Sequence, residues 1–189
     1  MAKNTRTRII EKAFRLIAEN GYEGTSMNLL AGECAVSKGV LYHYFNSKED
    51  LLIKVMEHHW ANMTLKDIYD VQKTTKAGFR KKLIANGKRY IRFLRKKPGI
   101  KRFTLAIMPV IARKKNLMEK MRPVLEAGFA STRDAIEHGI NTGAIPAATD
   151  RKLLLQEIFM IVDAIEFYSA FEMGMDLEKI WEDLIKKLF

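Results

Sequence analysis

Three observations predict an all-α chain built in two parts. Apolar residues recur at helical spacing in segment after segment, and no stretch sustains a period-2 alternation of Val, Ile and Thr. Only four prolines interrupt 189 residues. Cap-forming residues stand where helices would begin, at Thr25-Ser26, Ser37, Ser47, Thr149-Asp150 and Asp176. Short helices crowd the first 48 residues and longer ones follow, so the expected division is an N-terminal module over 1–48 and a larger helical domain over 49–189.

The first helix is expected from about Thr5 to Glu19, where Ile10, Ala13, Phe14 and Ile17 form an i, i+3, i+4, i+7 stripe and Gly21 suits the left-handed position past a helix end. A second, opening at Thr25 or Ser26, presents Leu29, Leu30 and Ala31 to a core. After a break near Ala35-Val36, Ser37 caps a third that ends near Phe45. Ser47-Lys48-Glu49-Asp50 then places a cap and first-turn acids ahead of a long fourth helix with Leu52, Val55, Met56, His59 and Met63 on its apolar side. Later helices are expected over about 76–97, stopped by Pro98-Gly99; over about 100–113, with Pro109 kinking or ending it; and over about 116–141, stopped at Asn141-Thr142-Gly143. The last two run from Thr149 or Asp150 to about Met173 and from Asp176 to Phe189.

Composition removes several function classes. With 48% hydrophobic and 29% charged residues the chain is not a disordered one. A lone cysteine, Cys34, permits no intrachain disulfide and no cysteine-based zinc or iron–sulfur site, and it reads as a buried filler in a reducing compartment. The first residues lack a secretory apolar stretch, and the longest apolar run, Leu105 to Ala112, falls far short of the ~20 residues that span a bilayer. A cytoplasmic protein is expected, nucleoid-associated if it binds DNA. No phosphate-cradling glycine loop, nucleophile elbow or zinc pair is present, so no enzyme activity, cofactor or metal is expected. His58 and His59 are adjacent and point to different sides of a helix, and His138 stands alone.

The informative stretch is Ser37-Lys38-Gly39-Val40-Leu41-Tyr42-His43-Tyr44-Phe45, with the helix before it. Two short helices joined by a tight turn, at about 25–45, form a helix-turn-helix whose second member lies in a DNA major groove. Leu41 and Phe45, four apart, face the module's own core, which leaves Lys38, Tyr42 and His43 to reach bases or phosphates. Gly39 lets the backbone approach a duplex closely. Thr25, Ser26, Ser37 and Ser47 place hydroxyls and free N–H groups at helix N-termini, natural seats for phosphate, and Lys48 adds a charge there.

The stretch Gly21-Tyr22-Glu23-Gly24-Thr25-Ser26, then Leu30-Ala31, Val36-Ser37-Lys38-Gly39, Leu41-Tyr42-His43-Tyr44-Phe45 and Lys48-Glu49-Leu51-Leu52 closely resembles the TetR family of transcriptional regulators. The resemblance is detailed over about residues 5–52; beyond it only length and helical character agree. It implies a homodimer whose paired readers contact a palindromic operator, and a C-terminal domain that binds a small effector and dimerises. By matching position it implies DNA contacts at Thr25 or Ser26, Ser37, Lys38, Gly39, Tyr42, His43 and Lys48, with Val40 at the variable recognition position, where it can meet a thymine methyl. The turn departs from the family's usual Ala-Gly-Val: here it reads Cys34-Ala35-Val36, and a left-handed Ala35 costs about 1 kcal/mol.

In the second part, Trp60, Met63, Phe93, Phe103, Met108, Met121, Phe129, Phe159 and Met160 either line an effector cavity or fill a plain core. Asp163 and Glu166 interrupt an otherwise apolar helix, as a polar contact for an effector, a polar contact between subunits or a solvated edge; Asp163 is placed with the pocket residues. A dimer interface is expected from Phe167, Phe171, Trp181, Leu184, Ile185 and Leu188. Net charge is +11, yet residues 73–122 carry 18 basic side chains against Glu119 alone. That block is a solvated face, an entrance for an anionic amphiphile such as a fatty acyl-CoA or anionic lipid, or extra phosphate or membrane-surface contact. The leading expectation is therefore a ligand-responsive regulator, a repressor, released from double-stranded operator DNA by a small molecule. Its rival is a basic helical module that binds lipid or membrane surfaces without operator specificity.

Overall fold

The computed structural model describes residues 2–62, 68–171 and 174–188, except for the side chains at 2–4, 60–62, 115, 124, 125, 127, 128, 170 and 171. Among the described residues the chain is helical and no strand occurs. In chain order the helices are α1 (Ala2–Gly24), α2 (Met27–Glu33), α3 (Lys38–Tyr44), α4 (Lys48–Asn62), α5 (Lys76–Arg95), α6 (Pro98–Arg113), α7 (Lys115–Asn141), α8 (Arg151–Phe171) and α9 (Leu177–Leu188).

Local chemistry sets the short helices as anticipated. The Ser26 hydroxyl accepts from Leu29 N at 3.0 Å and the Ser37 hydroxyl from Val40 N at 3.3 Å. At the head of α4 the Ser47 hydroxyl accepts from Asp50 N at 3.0 Å while the Asp50 carboxylate accepts from Asn46 N at 2.9 Å, a reciprocal cap. At α8 and α9 the cap is one-sided: the Asp150 carboxylate accepts from Leu153 N at 3.0 Å and the Asp176 carboxylate from Lys179 N at 3.1 Å. Gly21 breaks α1 at φ +75°, and three more residues coil before the chain leaves it. Ala35 is left-handed at φ +49°, so the turn keeps the geometry that a glycine would serve more cheaply. Pro98 opens α6, where a missing N–H costs nothing. Pro109 does not end that helix, which continues to Arg113, and Pro123 likewise lies within α7.

The chain divides into two compact units, one of Met1–Asn62 with Gly99–Val124 and one of Met63–Pro98 with Leu125–Phe189. The element boundary at residue 48 is therefore not a boundary between compact units. The reason is packing: Leu51, Leu52, Val55 and Met56 of α4 are buried in one core with Ile9, Ile10, Ala13 and Ile17 of α1, Leu30 of α2, Leu41 of α3, and Phe103 and Leu117. Leu29 of α2, expected inside, faces outward instead.

In the second unit α5 turns Phe79, Leu83, Asn86, Gly87, Tyr90, Ile91 and Leu94 inward. The buried Asn86 amide donates to the carbonyls of Ile68 and Asp70, at 3.2 and 3.3 Å, holding the segment before α5. Trp181 of α9 lies on Gly87, where an added Cβ would meet the indole at 2.1 Å, and its Nε1 donates to Leu83 O at 3.2 Å. Trp181 and Ile185, expected at a subunit interface, are each only 1% exposed within the single chain. The apolar stripe of α9 is taken up by α5, because Gly87 leaves room for the indole. Leu184 and Leu188 remain half-buried, Phe167 is exposed, and the Phe171 side chain lies outside the described residues.

Candidate nucleic-acid interface

The α2–turn–α3 segment presents two faces of opposite character. Leu41 and Phe45 are buried, whereas Lys38, Gly39, Val40, Tyr42 and His43 are exposed, Tyr42 by 45%. Tyr42 is a large aromatic side chain that the fold does not bury, with the Lys38 ammonium 6.0 Å from its ring centroid. At Gly39 an added Cβ would meet nothing nearer than the Ser37 hydroxyl at 3.7 Å, so the chain's own packing does not demand a glycine there.

The structure separates Thr25 from Ser26. Thr25 is 3% exposed and its hydroxyl donates to Gly21 O at 2.9 Å, so it fastens the end of α1 and does not face outward. Ser26 and Ser37 are exposed helix caps. Lys48 is held in place: its ammonium lies 4.2 Å from the Tyr22 ring centroid, 3.4 Å from Glu23 O and 3.7 Å from Glu23 Oε2. Partial burial pulls its pKa down while the Glu23 charge opposes the shift. Next to it, Glu49 accepts from Lys114 at 3.0 Å and from Lys120 at 3.4 Å, and the Lys114 hydrogen bond above all holds its carboxyl below the usual range. Burial lifts the Tyr22 phenol to about 12, so the ring under Lys48 stays neutral. Arg6, which sequence reasoning did not single out, lies 5.7 Å from the Phe45 ring centroid and adds a cation beside the end of α3.

The expected pocket residues fall apart into different environments. Phe103 and Met121 belong to the core of the first unit, while Met108 on α6 and Met160 on α8 are 50% and 70% exposed and so neither fill a core nor line an enclosed cavity. Met63 and the Trp60 side chain lie outside the described residues. In the second unit Phe129 and Phe159 pack at 4.3 Å between ring centroids, Phe93 stacks near Tyr90, and a polar cluster runs through apolar surroundings. The Tyr90 hydroxyl donates to Glu166, and Thr132 hydrogen-bonds Tyr69. Burial raises Glu166 to about 7, with Tyr90 opposing and Asp163 adding; Asp163, expected in the pocket, is itself exposed at the surface. Tyr69, Tyr90 and Thr132 escaped the sequence reading because each sits in an apolar stripe and their partners are distant in sequence. Cys34 is buried, as a filler would be, and burial raises its thiol pKa. No metal-ligating cluster occurs among the described residues.

Residues 9–55 match the family described as bacterial regulatory proteins, tetR family. The chain is 46% identical to the HTH-type transcriptional regulator YuxN of Bacillus subtilis over 52 residues, 28% of this chain and only 18% of that protein. It is 28% identical to the fatty acid metabolism regulator protein of B. subtilis over 159 residues, 82% of this chain and 78% of that one. The crystal structure of the transcriptional regulator FadR from B. subtilis in complex with stearoyl-CoA superposes with a TM-score of 0.76 at 23% identity, covering 96% of both chains, which establishes a shared fold. The likeness to bacterial regulatory proteins of the tetR family rests on residues 9–55, which hold both short helices, the left-handed turn and the start of α4; beyond them the agreement is one of fold.

Proposed function

We propose that the chain is a transcriptional regulator, acting as a repressor, whose homodimer reads a palindromic operator through α3 and leaves it when an effector occupies the C-terminal domain. Residues 1–48 then act as the reader and 49–189 as the effector-binding and dimerising part, working in the cytoplasm at the nucleoid. The observation that carries the reading is α3: its inward residues Leu41 and Phe45 are buried while Lys38, Gly39, Val40, Tyr42 and His43 stand exposed. In this arrangement Lys38 and the α4-anchored Lys48 meet phosphates, Ser26 and Ser37 contribute hydroxyls at helix ends, and Val40, Tyr42 and His43 face base edges. The named fatty-acid regulators favour an anionic amphiphile, such as a long-chain acyl-CoA, as effector. Such a ligand releases DNA only by its difference in affinity between the DNA-competent state and the alternative one.

Replacing Tyr42 by Ala tests this. Tyr42 contributes little to the core, so melting temperature should stay near the wild-type value while operator affinity falls about tenfold, the size of one good contact. A folded variant that binds with wild-type affinity would remove α3 from the interface. Basicity outside the reader favours the rival lipid-surface reading; binding that is sequence-selective at physiological salt decides against it.

A further inference from the structure

The densest charge of the chain lies outside the reader. Lys76, Arg80 and Lys88 fall at helical intervals along one face of α5, with Lys81 beside them, and line an open groove of about 720 Å³. Ala77 and Ile84 of the same face, with Ala144 from the turn after α7, give it an apolar strip. Glu182 of α9 is its acid, and this carboxylate is already engaged: Lys88 and Lys186 both donate to it and hold its pKa down at about 2. Among the described residues Lys76, Arg80 and Lys81 have no acidic partner within salt-bridge distance. Nothing in the fold calls for them, since α5 packs through Phe79, Leu83, Gly87 and Tyr90 on its other side, and cations four apart on a helix repel.

We propose that this groove binds a phosphorylated small molecule of nucleotide size. Its phosphates lie on Arg80, Lys81 and Lys76, and its aromatic or aliphatic part lies along Ala77, Ile84 and Ala144. The guanidinium of Arg80 offers the planar fork that suits two phosphate oxygens, and the ammonium groups add charge without demanding geometry. The volume falls within the ~300–1,000 Å³ typical of small-molecule sites. Concavity and the apolar strip favour a compact anion over a duplex backbone. The inference rests on reading the second unit as the effector domain, and it names the chemistry of the effector's head.

The test is calorimetric titration of the full chain with ADP, and separately with inorganic phosphate, in wild type, Arg80→Ala and Lys82→Ala. Lys82 is exposed on the same helix but does not line the groove, so its variant makes the same charge change elsewhere. ADP should bind the wild type saturably and more tightly than inorganic phosphate. Arg80→Ala should weaken it about tenfold and Lys82→Ala less than about twofold. Absence of saturable ADP binding, an Arg80→Ala variant equal to wild type, or equal losses in both variants would overturn the proposal. Operator binding by Arg80→Ala keeps the two readings apart. If that variant loses DNA as well, the groove is a duplex contact and the proposal fails. If wild type binds ADP through Arg80 but no operator, the groove stands and the regulator reading falls.

Discussion

His59 and Glu166 are titratable side chains that the two cores hold against their preferred charge, in opposite senses. His59 stacks on Phe14 at 3.6 Å between ring centroids, its Nε2 finds no hydrogen-bond partner, and burial, helped by the His58 charge, lowers its pKa from 6.5 to about 4. The unfolded chain therefore binds the proton first, and the stability contributed by neutral His59 is lost as pH falls from 6.5 towards 4. Glu166 is raised from 4.5 to about 7, so the folded chain holds the proton first and stability falls as pH rises from 4.5 to 7. In wild type the two slopes partly cancel where the windows overlap. Urea titrations at several pH values should separate them. His59→Phe should abolish the acid-side loss, on the order of 2 kcal/mol, and leave stability rising as pH falls. Glu166→Gln, which still accepts the Tyr90 hydrogen bond, should gain on the order of 2 kcal/mol at pH 8 and nothing below 4.5. Variants with unchanged pH profiles would show that neither group is held as described.

Among the elements, α5 with α9 makes the sharpest stability claim. The indole of Trp181 occupies the space that a side chain at residue 87 would need. Gly87→Ala should cost about 1–3 kcal/mol or more, read as a lowered urea midpoint, despite its better helix propensity. A variant within 0.5 kcal/mol of wild type, on the order of a neutral surface change, would mean that the two helices separate easily. The same pair shows what the sequence could reveal and what it could not. Caps at Ser26, Ser37, Ser47, Asp150 and Asp176 were legible because capping is decided within four residues, and so was the inward stripe of α3. The destination of the α9 stripe was not: an apolar face looks the same whether it packs on its own chain or on a partner, and only the absent side chain of Gly87, 94 residues before Trp181, decides between them. Thr25 was placed on the DNA side for a similar reason, since a hydroxyl beside a cap can turn either way. The Tyr90–Glu166 bond joins residues 76 apart and leaves no local trace. Of the two outcomes open at Pro109, a kink or an end, the end does not occur: the helix runs on to Arg113.

At the scale of the molecule, several apolar side chains of the second unit stand exposed. Leu153, Met160 and Phe167 recur every seven residues along α8 and are exposed, Met160 by 70%, and Ile180 of α9 is exposed as well. A single chain rarely shows water so regular a stripe, and a second copy is the partner proposed above. Met160→Asp should shift sedimentation from dimer to monomer and weaken operator binding, because each reader then holds its half-site alone. A dimer that survives this change would place the interface elsewhere. Footprinting of the purified chain on the DNA beside its own gene, after unfolding and refolding to strip any bound small molecule, bears most directly on the regulator reading. A palindrome should be protected with half-site centres roughly 34–36 Å apart, and binding should weaken steeply as salt is raised. Protection that is absent, or that spreads along the fragment without sequence preference, would contradict it.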